Sequence, residues 1–350
     1  MTAKRQHAIF AACLCATLVL AESGCNRFAR RARQTARPAP VVERPAPAPP
    51  PKVDPVQESQ RVVENAQILQ AQGIEDVALR EFERAISINP RITPAYLGIG
   101  QIQRRRGNLL EALTAYARAV DIEPGNFEAQ YGLGLTSQLL GRIADAIRAY
   151  VNALYIRPDD FDANLNLATA YLQFGEPSPA LPYAQRAVRL KGDSGPARFN
   201  LGAIYSASGD YESAIVEYQQ AAELMEISPQ LLLNLAEALA FTGRHAEAQN
   251  TLEQLILAAP TAAAHERLAT SLFRQKKYEE ALAAFRRSIA IDETYYPAHN
   301  GVGVCLLNRW LLSEKKDVAA KEEAIRALKR SLQLERKQPV VIDLINRYGS

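Results

Sequence analysis

The sequence GNLLEALTAYARAVDIEP at residues 107–124 recurs as GRIADAIRAYVNALYIRP at residues 141–158, 34 positions later. Both stretches begin with glycine, carry alanine, tyrosine and alanine at the same three internal positions, and end with proline. The opening glycine continues at the same spacing through much of the chain. Its members are Gly73, Gly107, Gly141, Gly175, Gly209 and Gly243. A constant period of this length indicates an array of repeated supersecondary units.

Each recurring residue type has a physical role in a pair of packed helices. Glycine ends the first helix (helix A) in a left-handed conformation that is costly for other residues. Alanine lets helix A and the second helix (helix B) approach closely, and the aromatic residue fills the space between units. Proline stops helix B, because its ring clashes with the preceding helical turn. One unit cannot bury its apolar face alone, so the pattern predicts that neighbouring units stack.

These residues resemble the tetratricopeptide repeat, and the resemblance covers residues 59–338 as eight units. It implies an all-α fold, a right-handed solenoid of helix-turn-helix repeats. The seventh unit begins one residue early, at Ala262, and has Lys276 in place of the turn glycine. In the eighth unit the helix-B alanine, Ala324, comes nine residues late, which predicts two helices about one turn longer than their neighbours. Residues 339–350 are expected to form a short capping helix.

The N-terminus has the features of an export signal. A basic start precedes an apolar run over residues 8–21, which is shorter than the roughly 20 residues of a transmembrane helix. The segment Ser23-Gly24-Cys25 resembles the lipobox of bacterial lipoproteins, although Glu22 stands where that family prefers an apolar residue. Residues 1–25 are therefore interpreted as a signal peptide that ends at a lipidated Cys25. Cleavage without lipidation and an uncleaved anchor are the alternatives.

Residues 26–58 are rich first in arginine and then in proline. Such a segment cannot bury a core and favours extended polyproline geometry, at roughly 3 Å per residue. We expect a disordered linker that lifts the repeats off the membrane. Its arginines follow the predicted anchor directly, where anionic headgroups would attract them. A solvated linker without a specific partner is the alternative.

Positive charge is concentrated in the N-terminal tail. Residues 1–58 hold nine Lys and Arg against four Asp and Glu, which leaves 32 against 34 in the rest of the chain. A nucleic-acid-binding protein usually has a basic face on its folded domain, so no nucleic-acid partner is expected. Three of the four cysteines lie within residues 1–25 and only Cys305 lies in the repeats, so disulfides are not expected to hold the fold.

Several short motifs that suggest chemistry are explained by the repeat. Residues 192–196, GDSGP, resemble the nucleophile segment of trypsin-like proteases, but they fall on a turn between units in an all-helical frame. Paired glycines such as Gly98 and Gly100 lack the third glycine and the preceding strand of a dinucleotide loop. His265 and His299 lack acidic or cysteine companions for a metal ion. We therefore predict no catalytic residue, metal, cofactor or small-molecule substrate, and no enzyme activity.

In this repeat family helix A lines the concave surface, where partners usually bind. Asn166, Asn200 and Asn234 occupy one equivalent helix-A position in three successive units, so stacking would align them as an asparagine ladder able to bond the backbone of an extended chain. One position earlier runs an apolar stripe, which suggests a partner because such side chains rarely face water together. The stripe consists of Leu97, Tyr131, Leu165, Phe199 and Leu233. A solvated ladder and a stripe packed inside the superhelix are the alternatives.

Together these features predict a membrane-anchored scaffold of the cell envelope that faces the periplasm or extracytoplasmic space. Its groove would hold a protein or peptide partner, and the resemblance suggests assembly of secretion or pilus machinery or of wall-synthesis complexes. The alternative is an adaptor on the cytoplasmic face, held by an uncleaved N-terminal anchor.

Overall fold

The computed structural model describes residues 54–349, so the predicted signal peptide, Cys25 and residues 26–53 lie outside the described residues. Residues 54–349 form 17 helices and no strand, which confirms the all-α prediction. No helix in this range is long and apolar enough to cross a membrane. The helices are α1 Pro55–Ala71, α2 Glu75–Ile88, α3 Thr93–Arg105, α4 Leu109–Ile122, α5 Phe127–Leu139, α6 Ile143–Ile156, α7 Phe161–Gln173, α8 Pro177–Leu190, α9 Gly195–Ala207, α10 Tyr211–Leu224, α11 Pro229–Phe241, α12 His245–Ala258, α13 Ala262–Arg274, α14 Tyr278–Ile291, α15 Tyr296–Leu312, α16 Val318–Leu334 and α17 Pro339–Tyr348.

The helices pair as eight antiparallel hairpins, α1 with α2 through α15 with α16, and α17 follows as the cap. The first helix begins at Pro55, four residues before the predicted start of the repeats at residue 59. Asp54 accepts a hydrogen bond from the Val56 N–H at 3.0 Å, and proline suits the first helical position because its missing N–H would be unpaired there. Residues 55–58 therefore belong to the repeat array and not to the linker.

The backbones of successive helices A are in contact, whereas the backbones of successive helices B have little or no contact with one another. The array therefore curves toward its odd-numbered helices, which line the concave side as the family resemblance implies. The pair α11 and α13 is the exception, because it has the least backbone contact of any two consecutive helices A in the described chain. The concave surface is thus most open between units six and seven.

The recurring small and aromatic residues form the interior between helices. The helix-B alanines Ala78, Ala112, Ala146, Ala180, Ala214 and Ala248 are fully buried. Tyr116 in α4 lies against glycines of its own unit and of the next, and a Cβ built at Gly132 would stand 2.3 Å from its ring. Unit four has Ala184 at the aromatic position, and there Tyr171 and Tyr183 stack with ring centroids 6.0 Å apart.

The turns within units have the backbone conformation that the glycine series predicts. The six glycines have φ between 72° and 84°, and Lys276 adopts φ of 65° at the equivalent turn of unit seven. In unit eight α15 and α16 each have 17 residues, against 13 and 14 in units two to seven, which confirms the predicted lengthening relative to those units. The capping helix is also confirmed, since buried Val341 and the ring of Tyr348 pack against unit eight.

Five turns between units are closed by a side chain that bonds a carbonyl oxygen six residues earlier, an interaction called here the turn clamp. The pairs are Tyr96 with Pro90, Gln130 with Pro124, Asn164 with Pro158, Arg198 with Gly192, and His299 with Glu293, at 2.8–3.2 Å. The equivalent residues of units six and seven are Leu232 and His265. Leucine cannot form a turn clamp, and His265 Nδ1 is buried without a hydrogen-bond partner in the described chain. The turns that lead into units six and seven therefore lack a turn clamp.

Candidate binding groove

The first two members of the asparagine ladder bond neighbouring units together. Asn166 Nδ2 in α7 donates to the Tyr131 hydroxyl in α5 at 2.8 Å. Asn200 Nδ2 in α9 donates to Thr169 Oγ1 and, at 3.3 Å, to the Leu165 carbonyl in α7. Asn200 is also buried, with 9% of its surface exposed. The Nδ2 groups of Asn166 and Asn200 therefore form hydrogen bonds between consecutive helices A. The ladder pattern in the sequence did not predict this structural role.

The third member of the ladder has different surroundings. Asn234 Oδ1 accepts a bond from Gln230 Nε2 at 2.7 Å within α11. Its side chain lines a cavity on the concave side, together with Tyr218. Asn234 thus lies at a cavity wall, and within residues 54–349 it has no hydrogen bond to the preceding helix A. Peptide binding by the ladder stays a prediction.

The apolar stripe is half-buried along its whole length. Tyr131 stacks on Phe127 at 5.7 Å and tilts against Tyr150, while Phe199 tilts against Tyr218 at 5.8 Å. Burial, helped by nearby carboxylates, raises the pKa of Tyr131 to about 12, so its hydroxyl remains neutral. The aromatic members of the stripe therefore contribute to packing between the two helices of their own unit, and partner binding by the stripe also stays a prediction.

Three adjoining cavities lie along the helix-A side of units five to eight, and the repeat pattern does not predict them. The first cavity, about 290 Å³, is lined by α9, α10 and α11; the second, about 360 Å³, by α11, α12 and α13; and the third, about 390 Å³, by α13, α14 and α15. Glu237 and Phe241 line both the first and the second. Thr270 and Arg274 line both the second and the third. Glu237 and Thr270 occupy one position of the repeat, and Phe241 and Arg274 occupy another. The two walls are therefore equivalent, and the cavities recur once per unit.

The wall between the first and second cavities presents an aromatic ring. Phe241 is 68% exposed, and it is held by parallel stacking on Tyr211 with ring centroids 4.5 Å apart. Behind it, Ala236, Ala240 and Leu252 give the second cavity an apolar floor. The equivalent position in other units holds a charged, polar or aliphatic residue. An exposed aromatic residue in the last turn of a helix A is the signal by which this site could have been found in the sequence.

Charged groups surround the mouth of the second cavity. Arg267 Nη2 in α13 pairs with Glu237 Oε1 in α11 at 2.8 Å, and this ion pair is the one polar contact between α11 and α13 in the described chain. Glu266, which lines the neighbouring third cavity, accepts a bond from Thr270 Oγ1 at 2.9 Å, and burial raises the pKa of the Glu266 carboxyl. Arg274 has no acidic partner among the described residues. The cavity thus combines an apolar interior with a rim that can pair with a charged ligand group.

Three features of the described residues bear on catalytic chemistry. No group of three or more His, Cys, Asp and Glu residues in residues 54–349 is placed to hold a metal ion. Burial raises the pKa of the Cys305 thiol to about 12, which suppresses the reactive thiolate. Ser194 of the GDSGP segment caps α9 by accepting a bond from the Ala197 N–H at 3.3 Å. Cys305 and Ser194 thus have structural surroundings, and the three adjoining cavities are the candidate site for a ligand.

Family models of the tetratricopeptide repeat match the chain over residues 63–295. One model covers 63–127, 97–163, 131–195 and 165–231, a second covers 205–271, and a third covers 262–295. No curated protein sequence matches the chain.

Solved structures with the same fold include a chain of the APC/C hetero-tetramer Cut9-Hcn1, with 19% identity, 77% coverage of this chain and a TM-score of 0.52. The match spans 52%, or about half, of that chain. A tetratricopeptide repeat protein from Parabacteroides merdae ATCC 43184 has 20% identity, covers 67% of this chain and 94% of its own, and has a TM-score of 0.49. YrrB, a TPR protein with an unusual peptide-binding site, has 23% identity, coverage of 56% and 97%, and a TM-score of 0.49. These likenesses concern the fold.

Proposed function

The chain belongs to the tetratricopeptide-repeat family, and on that premise we propose that it is a membrane-anchored scaffold holding a protein or peptide partner in its concave groove. Proteins of this family are typically interaction modules and not enzymes. The observation that carries the proposal is the row of three cavities along the helices A of units five to eight. Exposed Phe241 and the charged rim beside it give this row both apolar and polar means of binding.

The proposed location is the extracytoplasmic side of a membrane, where the scaffold would serve cell-envelope, secretion or pilus assembly. Its support is the basic start, the short apolar run and the lipobox-like end at Cys25. The second candidate is an adaptor on the cytoplasmic face, which the departure at Glu22 favours because it weakens the match to the lipobox. Radiolabelled palmitate distinguishes the two: incorporation that Cys25→Ser abolishes supports the lipoprotein, and absence of label from a wild-type protein that retains residues 1–25 supports the adaptor.

The binding surface is tested with a photo-crosslinking amino acid placed at Thr270 in the full-length protein in its native cells. Thr270 is exposed in α13 and lines two cavities. The matched control is Thr114, an exposed threonine in the interior of α4, a helix B. We expect discrete crosslinked partners from Thr270 and none of the same partners from Thr114. Equal crosslinking from both positions, or none from Thr270, would refute binding at the concave surface of these units.

A further inference from the structure

Resting on the proposed function, we infer that the groove of units six to eight recognises an extended partner segment with two apolar anchors three residues apart and an acidic residue between them. The segment would lie over the second and third cavities and cross the wall of Thr270 and Arg274 that separates them.

The two anchors follow from the composition of the cavities. Ala236, Ala240 and Leu252 line the second cavity, and Phe273 and Phe285 line the third. Volumes of about 360 and 390 Å³ can each admit one large side chain. Such a side chain would exchange water for an apolar lining, a contribution that grows with the apolar area removed from water. Aliphatic or aromatic side chains are therefore the expected occupants.

The spacing of the anchors follows from the packing of the helices. The second and third cavities lie on either side of α13, so their centres are separated by about one spacing between helices. Packed helices are about 8–10 Å apart, and the open gap between α11 and α13 places this separation at the upper end of that range. An extended chain advances about 3.1–3.4 Å per residue, so three residues cover this distance. In polyproline geometry, which has three residues per turn, both anchors would also point in the same direction.

The acidic residue follows from the charge on the wall between the cavities. Arg274 lines both cavities and has no acidic partner among the described residues, whereas Arg267 is already paired with Glu237. A ligand that bridges the cavities passes over Arg274 between its two anchors. A carboxylate at that point could accept charge-assisted hydrogen bonds from the guanidinium. A lysine or arginine there would instead meet like charge.

The test measures fluorescence anisotropy of labelled nine-residue peptides with the full-length protein in detergent micelles. The reference peptide carries Phe and Leu three positions apart with Asp between them. A second peptide has Asn in place of Asp, and a third has the anchors five positions apart. We expect the reference peptide to bind about tenfold more tightly than either, a factor that corresponds to about 1.4 kcal/mol.

Two variants with matched controls locate the interaction. Arg274→Ala should remove the preference for Asp over Asn, whereas Arg189→Ala should retain it, since Arg189 is an exposed arginine in the last turn of α8. Thr270→Trp should occlude both cavities and weaken the reference peptide at least tenfold, and Thr114→Trp should not. Circular dichroism of each variant confirms that the helices are retained.

Equal affinity for the Asp and Asn peptides, or an Asp preference that survives Arg274→Ala, would overturn the acidic element. Equal affinity for the peptides with three-residue and five-residue spacing would overturn the proposed spacing of the two anchors. If Thr270 crosslinks a partner in cells but none of the peptides binds, the recognition rule is wrong while the scaffold function stands. If the peptides follow the rule but no partner crosslinks in cells, the proposed function fails and the site chemistry is retained.

Discussion

Replacing Lys276 with glycine should stabilise the C-terminal part of the array. Lys276 adopts φ of 65° at the turn where six other units have glycine. Its side chain is exposed and forms no hydrogen bond or ion pair in the described chain. Its N–H donates to the Phe273 carbonyl at 2.9 Å, a backbone bond that glycine would keep. The substitution therefore removes backbone strain without removing a contact.

The expected change in the free energy of unfolding is the difference between two effects on the backbone. The left-handed conformation costs an L-residue roughly 1–2 kcal/mol. Glycine loses more conformational freedom on folding, a penalty of roughly 0.5–1 kcal/mol. The expected gain for Lys276→Gly is therefore about 1 kcal/mol. With a urea dependence of about 1–3 kcal/mol per molar, the unfolding midpoint should rise by roughly 0.3–1 M.

Trp310 makes the assay local, because it is the one tryptophan in the chain and it is buried in the core shared by units seven and eight. Urea unfolding followed by its fluorescence reports on the segment that contains the turn. Lys277→Gly is the control, since Lys277 has φ of −83° and its Nζ bonds Gln249 at 3.0 Å. That control should lower the midpoint. A midpoint for Lys276→Gly that is unchanged, or lowered as in the control, would refute strain at this turn.

Three further predictions concern packing and charge. Hydrogen exchange should be faster in residues 176–190 than in 142–156, because α8 carries three prolines, one of them inside the helix; equal protection would contradict this. Asn200→Ala should lower stability by about 1 kcal/mol in urea unfolding, since it removes bonds between units, whereas Asn234→Ala should have a smaller effect. The folded state raises the pKa of Glu266 and so holds its proton more tightly than the unfolded state, which makes stability fall as pH rises through the folded pKa. Glu266→Gln should therefore raise the melting temperature at neutral pH and flatten its pH dependence, and parallel melting curves for both proteins would contradict the assignment.

The sequence was sufficient to predict the fold because each unit repeats a local rule. Constant spacing located the turns, and Lys276 was recognised as a turn residue although it is not glycine. Ala324, the helix-B alanine of unit eight, comes late in the sequence, and this predicted the long helices of that unit. Both helices must extend until this small residue can pack against helix A. The start at Pro55 was missed because proline in a proline-rich segment favoured the linker, while the capping residue Asp54 favoured a helix.

The candidate site was predicted less completely, because it depends on side chains from different units. Asn200 bonds Thr169, which is 31 residues away, and no pattern within one unit reveals that partner. The second cavity requires the separation of α11 from α13, which is a property of stacking and not of either helix alone. The sequence could place the helices A on the concave side, but it could not show which gap between them is open.

The missing turn clamps have a mechanical consequence. A turn without a clamp can change its angle without breaking that hydrogen bond, and such turns lead into units six and seven, at Leu232 and His265. The second cavity is lined by helices on both sides of the turn into unit seven. A ligand bound there would bridge this turn and hold it at one angle, so bending the array at this turn and filling the cavity would oppose each other.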